Sequence, residues 1–462
     1  MRPLRNDFRN EAFAALFAGA SVLIMKTPFY FSGARVALFV LLSCAPGALA
    51  SAAPGKTQAQ TLHLGTRTIT TSLETDLGTP VIPMWKAQMP KGSQGNAFGL
   101  PVLQDAQHFD VWKPARREEG AYNHYSALIF HNGRFYAMWG NQPYGENGPG
   151  QRVLFTTSKD GHAWNPPSVF FTSPGPVFRA APGDKNKALY LVPDRWVEVD
   201  GKLYGVAYVG GAGGISYPIA RELKDDGSLG EPFLLRDLPA KDKLPLFMTA
   251  PKQDPALAAK IKKWYEDNDM ISWWAKSAGE IPLHGIDDAK LIESFAFRSK
   301  DGMVICMRDY TPPDGNCRPS NRIYACFPDG KGGWSPLYPT DIPDSPSRAQ
   351  ALRLPDGRVL LAGNQIAPKL DSGLYMPRDP LTLSVSPDGE FFTKVFALRS
   401  GGSAKHTPRF SGITGRAAGT AYGYPSMIVH DGMIYVLYSV NKEDIAISMV
   451  PLASMQDTEN SK

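Results

Sequence analysis

Short runs of β-branched and aromatic residues, alternating with polar ones and broken by Asn-Gly, Asp-Gly or glycine-rich turns, recur along most of the chain. The alternation has the period of a half-buried strand, and a two-residue Asn-Gly or Asp-Gly link marks a tight hairpin. Ala127–His131 therefore pairs with Arg134–Trp139 about Asn132-Gly133, and Trp196–Val199 with Lys202–Val209 about Asp200-Gly201. Further along, Phe295–Arg298 pairs with Met303–Arg308, Ala351–Leu354 with Arg358–Ala362, and Met427–Val429 with Met433–Tyr438, about Asp301-Gly302, Asp356-Gly357 and Asp431-Gly432. Hairpins spaced irregularly by tens of residues are the pattern of propeller blades with insertions of varying length. The expected fold is all-β, a six-bladed propeller, with five or seven blades allowed because residues 210–290 parse poorly. Thr61–Ser72 also alternates and is expected to close the ring with the last blade.

One stretch departs from this period. Asp254–Ser277 carries Leu257, Ile261 and Trp264 at helical spacing and predicts a helical insertion. Its aromatics Trp264, Tyr265, Trp273 and Trp274 either stack on sugar rings or pack the helix against the propeller, and packing is the commoner outcome. Three turns, Ser158–Trp164, Ser386–Phe392 and the more degenerate Pro328–Trp334, share an Asp-Gly core followed by an aromatic residue, with Ser two positions ahead of the Asp in the first two. In such a turn the Asp and Ser side chains cap backbone N–H groups, the glycine takes positive φ and the aromatic wedges between strands. Asp160 and Asp388 are thus structural.

Composition narrows the picture. The 44 Gly and 40 Pro among 462 residues favour turns over long helices. The formal charge is +5, but only +2 falls on residues 51–462, which argues against nucleic acid or an anionic membrane surface as partner. Lys26 and Arg35 precede the apolar run Val36–Leu42 and the small-x-small site Ala48-Leu-Ala50, so residues 1–50 read as an export signal, with translation starting at Met25. The apolar run is shorter than a membrane span, and export to periplasm or exterior is expected. Leu41–Cys44 weakly matches a lipoprotein box, which would anchor Cys44. Residues 51–100 read as a linker with the ring-closing strand, 101–452 as the propeller and 453–462 as a tail. Beyond Cys44 lie Cys306, Cys317 and Cys326, and a Cys306–Cys326 bridge is one reading of a shared hairpin. No spacing of Cys or His suggests a metal, and Gly210–Gly214 lacks the following helix and acidic residue of a nucleotide site, so no cofactor is expected.

The chemistry concentrates near the C-terminus. Glu293 and Arg308 flank the hairpin about Asp301-Gly302, Arg378 precedes the Ser386 turn by eight residues, and Tyr424-Pro-Ser426 opens the last hairpin. Two arginines can clamp a carboxylate, and a carboxylate beside a phenol can activate it as a nucleophile. Order and spacing over roughly residues 120–450 resemble the sialidase (neuraminidase) superfamily, Asp-box or BNR-repeat propellers with exo-α-sialidase activity. The resemblance implies Tyr424 as nucleophile, Glu293 as its base, and Arg308 and Arg378 as carboxylate ligands. It implies an acid in the loop after the first hairpin, where Glu146 is the sole carboxylate of Asn141–Gln151. The family's first-blade arginine is missing: Ala121-Tyr122-Asn123-His124-Tyr125-Ser126 stands in its place. Arg348, or else Arg195, Arg152 or Arg179, would then supply the third cation, with Tyr122 and Asn123 as further substrate contacts. His124 opens a second reading, β-elimination at a uronate such as those of rhamnose–glucuronate chains or ulvan, with His124 as acid or base. A third is a glycan-binding propeller without catalysis. All three take a glycan with an acidic sugar as partner.

Overall fold

The computed structural model describes residues 58–92, 94–179, 188–211, 214–240, 242–271, 281–282, 284–311, 321–366, 377–402, 407–410 and 421–455. The export signal, the Cys44 anchor and residues 453–462 beyond Met455 lie outside them, as do Cys317, Trp273 and Trp274.

Among the described residues the strands form five four-stranded antiparallel sheets and one separate hairpin. The hairpin comes first, β1 (Gln60–Leu64) with β2 (Arg67–Thr71), followed by β3 (Gln107–Trp112). Blade I is β4 (Tyr122–His131), β5 (Arg134–Gln142), β6 (Arg152–Ser158) and β7 (Ser168–Phe171). Blade II is β8 (Tyr190–Val199), β9 (Lys202–Gly211), β10 (Gly214–Leu223) and β11 (Phe233–Leu234). Blade III is β12 (Leu291–Ser299), β13 (Gly302–Asp309), β14 (Arg322–Cys326) and β15 (Tyr338–Pro343). Blade IV is β16 (Gln350–Arg353), β17 (Val359–Gly363), β18 (Leu381–Ser386) and β19 (Lys394–Arg399). Blade V is β20 (Tyr422–His430), β21 (Met433–Val440) and β22 (Asp444–Pro451), completed by β3 on its outer edge.

The molecule is thus an all-β five-bladed propeller, the lower end of the range the pattern allows. Each of the five predicted hairpins is the first strand pair of one blade. The poorly parsed stretch contributes the outer strands of blade II and the single described α-helix, not a sixth blade. That helix, α1 (Pro255–Asp267), starts where Asp254 accepts from the Leu257 N–H at 3.0 Å with proline in the first turn. It ends at Asp267, ten residues short of the sequence expectation, before Asp269 turns into left-handed φ of 53°. Ile261 and Tyr265 are buried against blade II and Trp264 packs beside them, so packing describes both aromatics.

Ring closure falls to a different segment from the one expected. β3 pairs with β22, placing Phe109 opposite Ile447, whereas β1 and β2 pair only with each other. Arg67 of that hairpin instead reaches Glu390 at 2.9 Å, Ser299 at 2.5 Å and the face of Phe327, tying blade III to blade IV. Alternation alone could not tell a strand that closes the ring from one that buttresses it.

The closing blade packs Leu437, Ile445 and Ile447 against Leu128 and Trp139 of blade I. Ile447 is fully buried, so Ile447→Ala is expected to cost about 3 kcal/mol, read as a lower midpoint in denaturant unfolding.

The three Asp turns join third to fourth strands of blades I, IV and III. Asp160 accepts from the N–H groups of His162 and Ala163 at 2.8 and 2.9 Å, Asp388 from Glu390 at 2.9 Å, and Asp329 from Lys331 and Gly333 at 2.7 and 2.8 Å. Cys306 and Cys326 are not bridged. Register sets Cys306 opposite Ala325 and Cys326 opposite Ile305, so the thiols point to opposite faces of the blade, one toward blade IV and one into the neighbouring core. No described helix is long and apolar enough to cross a membrane.

Candidate active site

The first strands of the blades, β4, β8, β12, β16 and β20, line the axis, and their pairing slips at one recurrent place. Bulges interrupt β4 between His124 and Ala127, β12 between Ile292 and Phe295, and β20 between Gly423 and Ser426. At each of these a large residue takes left-handed φ: Tyr125 at 60°, Glu293 at 56° and Tyr424 at 60°. Such φ values cost a non-glycine residue on the order of 1 kcal/mol or more, and a bulge re-aims its side chain. Blade II has a shorter bulge at Asp194, and blade IV carries Arg348 just ahead of β16. Tyr125, Asp194, Glu293 and Tyr424 on their strands, and Arg348 just ahead of β16, therefore occupy comparable positions in the five blades.

The centre of this ring is a short, directed network. The Tyr424 hydroxyl donates to Glu293 Oε1 at 2.5 Å, and Arg308 Nε meets Glu293 Oε2 at 2.8 Å. The guanidinium carbons of Arg308 and Arg378 lie 5.7 and 5.2 Å from the centre of the Tyr424 ring. Both arginines donate to the carbonyl of Pro346, at 3.2 and 3.4 Å. Arg378 is 4% exposed, yet its Nε and Nη1 find no hydrogen-bond acceptor. Burial pushes the Tyr424 phenol well above its ordinary range, with the Glu293 charge adding to this and Arg308 and Arg378 opposing it. A phenoxide is therefore not preformed, and Glu293 is the group placed to take the proton.

A second network adjoins the first. Glu146 accepts from the Tyr125 hydroxyl at 2.8 Å and pairs with Lys442 Nζ at 2.6 Å. The Tyr125 ring stands edge-on to Tyr424 at 5.3 Å. Burial opposes the charge on Glu146, but Lys442 and the Tyr125 hydroxyl outweigh it and hold the carboxyl below its usual range. His124 is fully buried; its Nδ1 contacts Ser439 Oγ at 2.6 Å, its Nε2 has no partner, and its ring centre lies 3.9 Å from that of Tyr424. Burial, then the charges of Lys442 and Arg378, lowers its pKa well below the ordinary value, so the ring is neutral.

Tyr424, Glu293, Arg308, Arg378, Glu146 and His124 thus come together. Arg348 is near but turned aside, 3.4 Å from Asp194, which also accepts from Tyr265 of α1 at 2.5 Å. Arg195 borders the same pocket as Asp194 and Arg348. Tyr122 is wholly buried in a cluster with Tyr125, Tyr190 and Tyr424.

Asn123 is structural, contrary to the expectation of a substrate contact. Its amide donates to the carbonyls of Gly120 and Glu443, and its oxygen accepts from Trp139 and Asn141, which exhausts it. Arg152 is drawn off to Asn141, and Arg179 lies exposed.

The pattern does not single out Lys442, Asp194 or Asp344. Asp344 is fully buried and neither carboxylate oxygen finds a hydrogen-bond partner. Burial pushes its pKa up to about 8 against the pull of Arg308 and Arg378. Between pH 4 and 8 the folded chain keeps a proton that the unfolded chain has lost, so stability falls as pH rises through that window. Asp344→Asn is expected to flatten this slope, which thermal melts at pH 5 and pH 8 would reveal.

Fold and centre together define a five-bladed propeller with a tyrosine–glutamate–arginine constellation on its axis. The model of a BNR repeat-like domain matches residues 258–436, and that of an N-terminal beta propeller matches residues 110–274. A solved sialidase superposes with a TM-score of 0.59 and 21% identity over 80% of this chain and 35% of its own. This chain shares the β-propeller fold of that sialidase and spans about a third of its length. A mutant of Trypanosoma rangeli sialidase displaying trans-sialidase activity aligns at TM-score 0.39 and 11% identity, over 77% of this chain and 60% of its own. An α-L-arabinofuranosidase from Podospora anserina aligns at 0.36 and 11%, over 76% and 98%. No curated protein matches in sequence.

Proposed function

We propose that the protein is an exported glycoside hydrolase that removes a terminal acidic sugar, in the manner of a sialidase. The observation that carries this reading is the Tyr424–Glu293 hydrogen bond with Arg308 on the second carboxylate oxygen. A buried phenol has little nucleophilicity unless a base removes its proton in the same step. Glu293 takes that proton as the Tyr424 oxygen bonds to the anomeric carbon. Glu146, once it has bound a proton, gives it to the leaving oxygen; water, losing a proton to Glu146, then cleaves the tyrosyl–sugar bond as Glu293 returns its proton to Tyr424. A neutral nucleophile suits an anionic substrate, because an attacking carboxylate would be repelled by the sugar's own charge. Arg308 and Arg378 hold that charge, and the unmet donors of Arg378 support an anion there.

One observation favours a second reading. The neutral, unpartnered Nε2 of His124 is the state a base needs for abstracting the C5 proton of a uronate. Incubating the purified full chain with sialosides and with uronate polysaccharides separates the readings. Released reducing sugar without ultraviolet absorbance supports hydrolysis. Absorbance of an unsaturated uronate rising in step supports elimination, and affinity without any product leaves a binding propeller.

A further inference from the structure

A lysine, not an arginine, completes the positive wall of the site. Lys442 sits in the turn between β21 and β22, where Asn441 and Lys442 both take left-handed φ, at 53° and 56°. Its carbonyl accepts from the Asn123 N–H at 2.8 Å, which pins the turn to the first strand of blade I. That contact aims the side chain inward at the place where no first-blade arginine exists. Nζ lies 2.6 Å from Glu146 Oε2, with the side chains 9% and 15% exposed, and the Arg308 and Arg378 charges both act on it. Glu146, on the loop after β5, is faced by Lys442 from blade V, Arg378 from blade IV, Tyr125 and Tyr122 from β4, Tyr190 from β8 and Tyr424 from β20.

We propose that Lys442 is the third cation of the carboxylate clamp, and that an arriving sugar carboxylate displaces Glu146 from it, whereupon Glu146 binds a proton and becomes the acid. This rests on the acidic-sugar hydrolase reading given above. Burial opposes the charge on both Glu146 and Lys442, so each keeps the other ionised at rest. A second carboxylate competing for Nζ leaves Glu146 with desolvation unopposed by its nearest cation, and the buried carboxylate takes a proton from solvent. That proton passes to the glycosidic oxygen as the carbon–oxygen bond breaks, while the Tyr424 proton passes to Glu293. Substrate without a carboxylate would leave Glu146 ionised and the site without an acid, so the exchange also selects for an acidic sugar.

Calorimetry in buffers of different ionisation enthalpy tests this, with N-acetylneuraminic acid and glucuronic acid as probes. The full chain is expected to bind one of them with uptake of a proton. Lys442→Met should weaken binding on the order of tenfold and abolish the uptake, and Lys442→Arg should restore affinity. Glu146→Gln removes the competing anion, so it should bind more tightly and take up no proton, which keeps the test informative should Lys442→Met fail to fold. Binding without proton uptake, or undiminished affinity in Lys442→Met, overturns the exchange while leaving the clamp of Arg308 and Arg378 standing. Failure of the unmodified chain to bind either sugar overturns the acidic-sugar reading itself.

Discussion

Tyr424→Phe is expected to cut turnover of an acidic glycoside about a thousandfold while leaving its binding nearly intact. The substitution deletes one oxygen, the proposed nucleophile and the donor to Glu293. The ring itself stays wedged between His124 and Tyr125 and under the two guanidinium groups, so the pocket wall is preserved. Steady-state kinetics against equilibrium binding of the same sugar would separate the two effects. Turnover equal to that of the unmodified protein would remove Tyr424 from the chemistry, and loss of binding alone would make the phenol a ligand.

Arg308→Met is expected to act on both affinity and folding. Its guanidinium is buried, meets Glu293 at 2.8 Å and is one arm of the proposed clamp. Removing one partner of a buried ion pair costs about 3 kcal/mol, because the other charge is left behind. Here Glu293 retains 21% side-chain exposure and the Tyr424 hydroxyl, which softens the loss. For substrate, losing a charge-assisted contact to a carboxylate should raise KM roughly a hundredfold. Chemical denaturation and the KM of the refolded variant measure the two consequences separately; an unchanged KM would place the sugar's carboxylate elsewhere.

Much of the fold could be read from the chain because the inner hairpin of every blade turns on a two-residue Asn-Gly or Asp-Gly signal, or a close variant. Outer strands such as Phe233–Leu234 are too short to register as periodic segments, so the 210–290 stretch was open to an extra blade. Site residues divide on the same physical line. Glu293, Arg308, Arg378 and Tyr424 sit at fixed offsets from hairpins and turns, which makes their grouping legible. Asp194 would have emerged from stacking the five hairpins, since it precedes the end of β8 much as Glu293 precedes the end of β12. Lys442 and Asp344 lie in connections outside the paired strands, where no period exists to place them. Arg348 lies just ahead of β16, and its partner on β8 could not be foreseen from blade IV alone.

The seam between β3 and β22 sets an order of events in the life of the chain. Phe109 must wait for Ile447, so a growing polypeptide can shape blades I to IV before their circle has any means of shutting. Until Asp444–Pro451 emerges, β3 has an unsatisfied edge, open to pairing with another chain. Contacts of such long reach slow folding. The vulnerable moment of this propeller is therefore the arrival of β22, and a stop just ahead of residue 444 would leave four blades, the β20–β21 hairpin and an unpaired β3 rather than a smaller propeller.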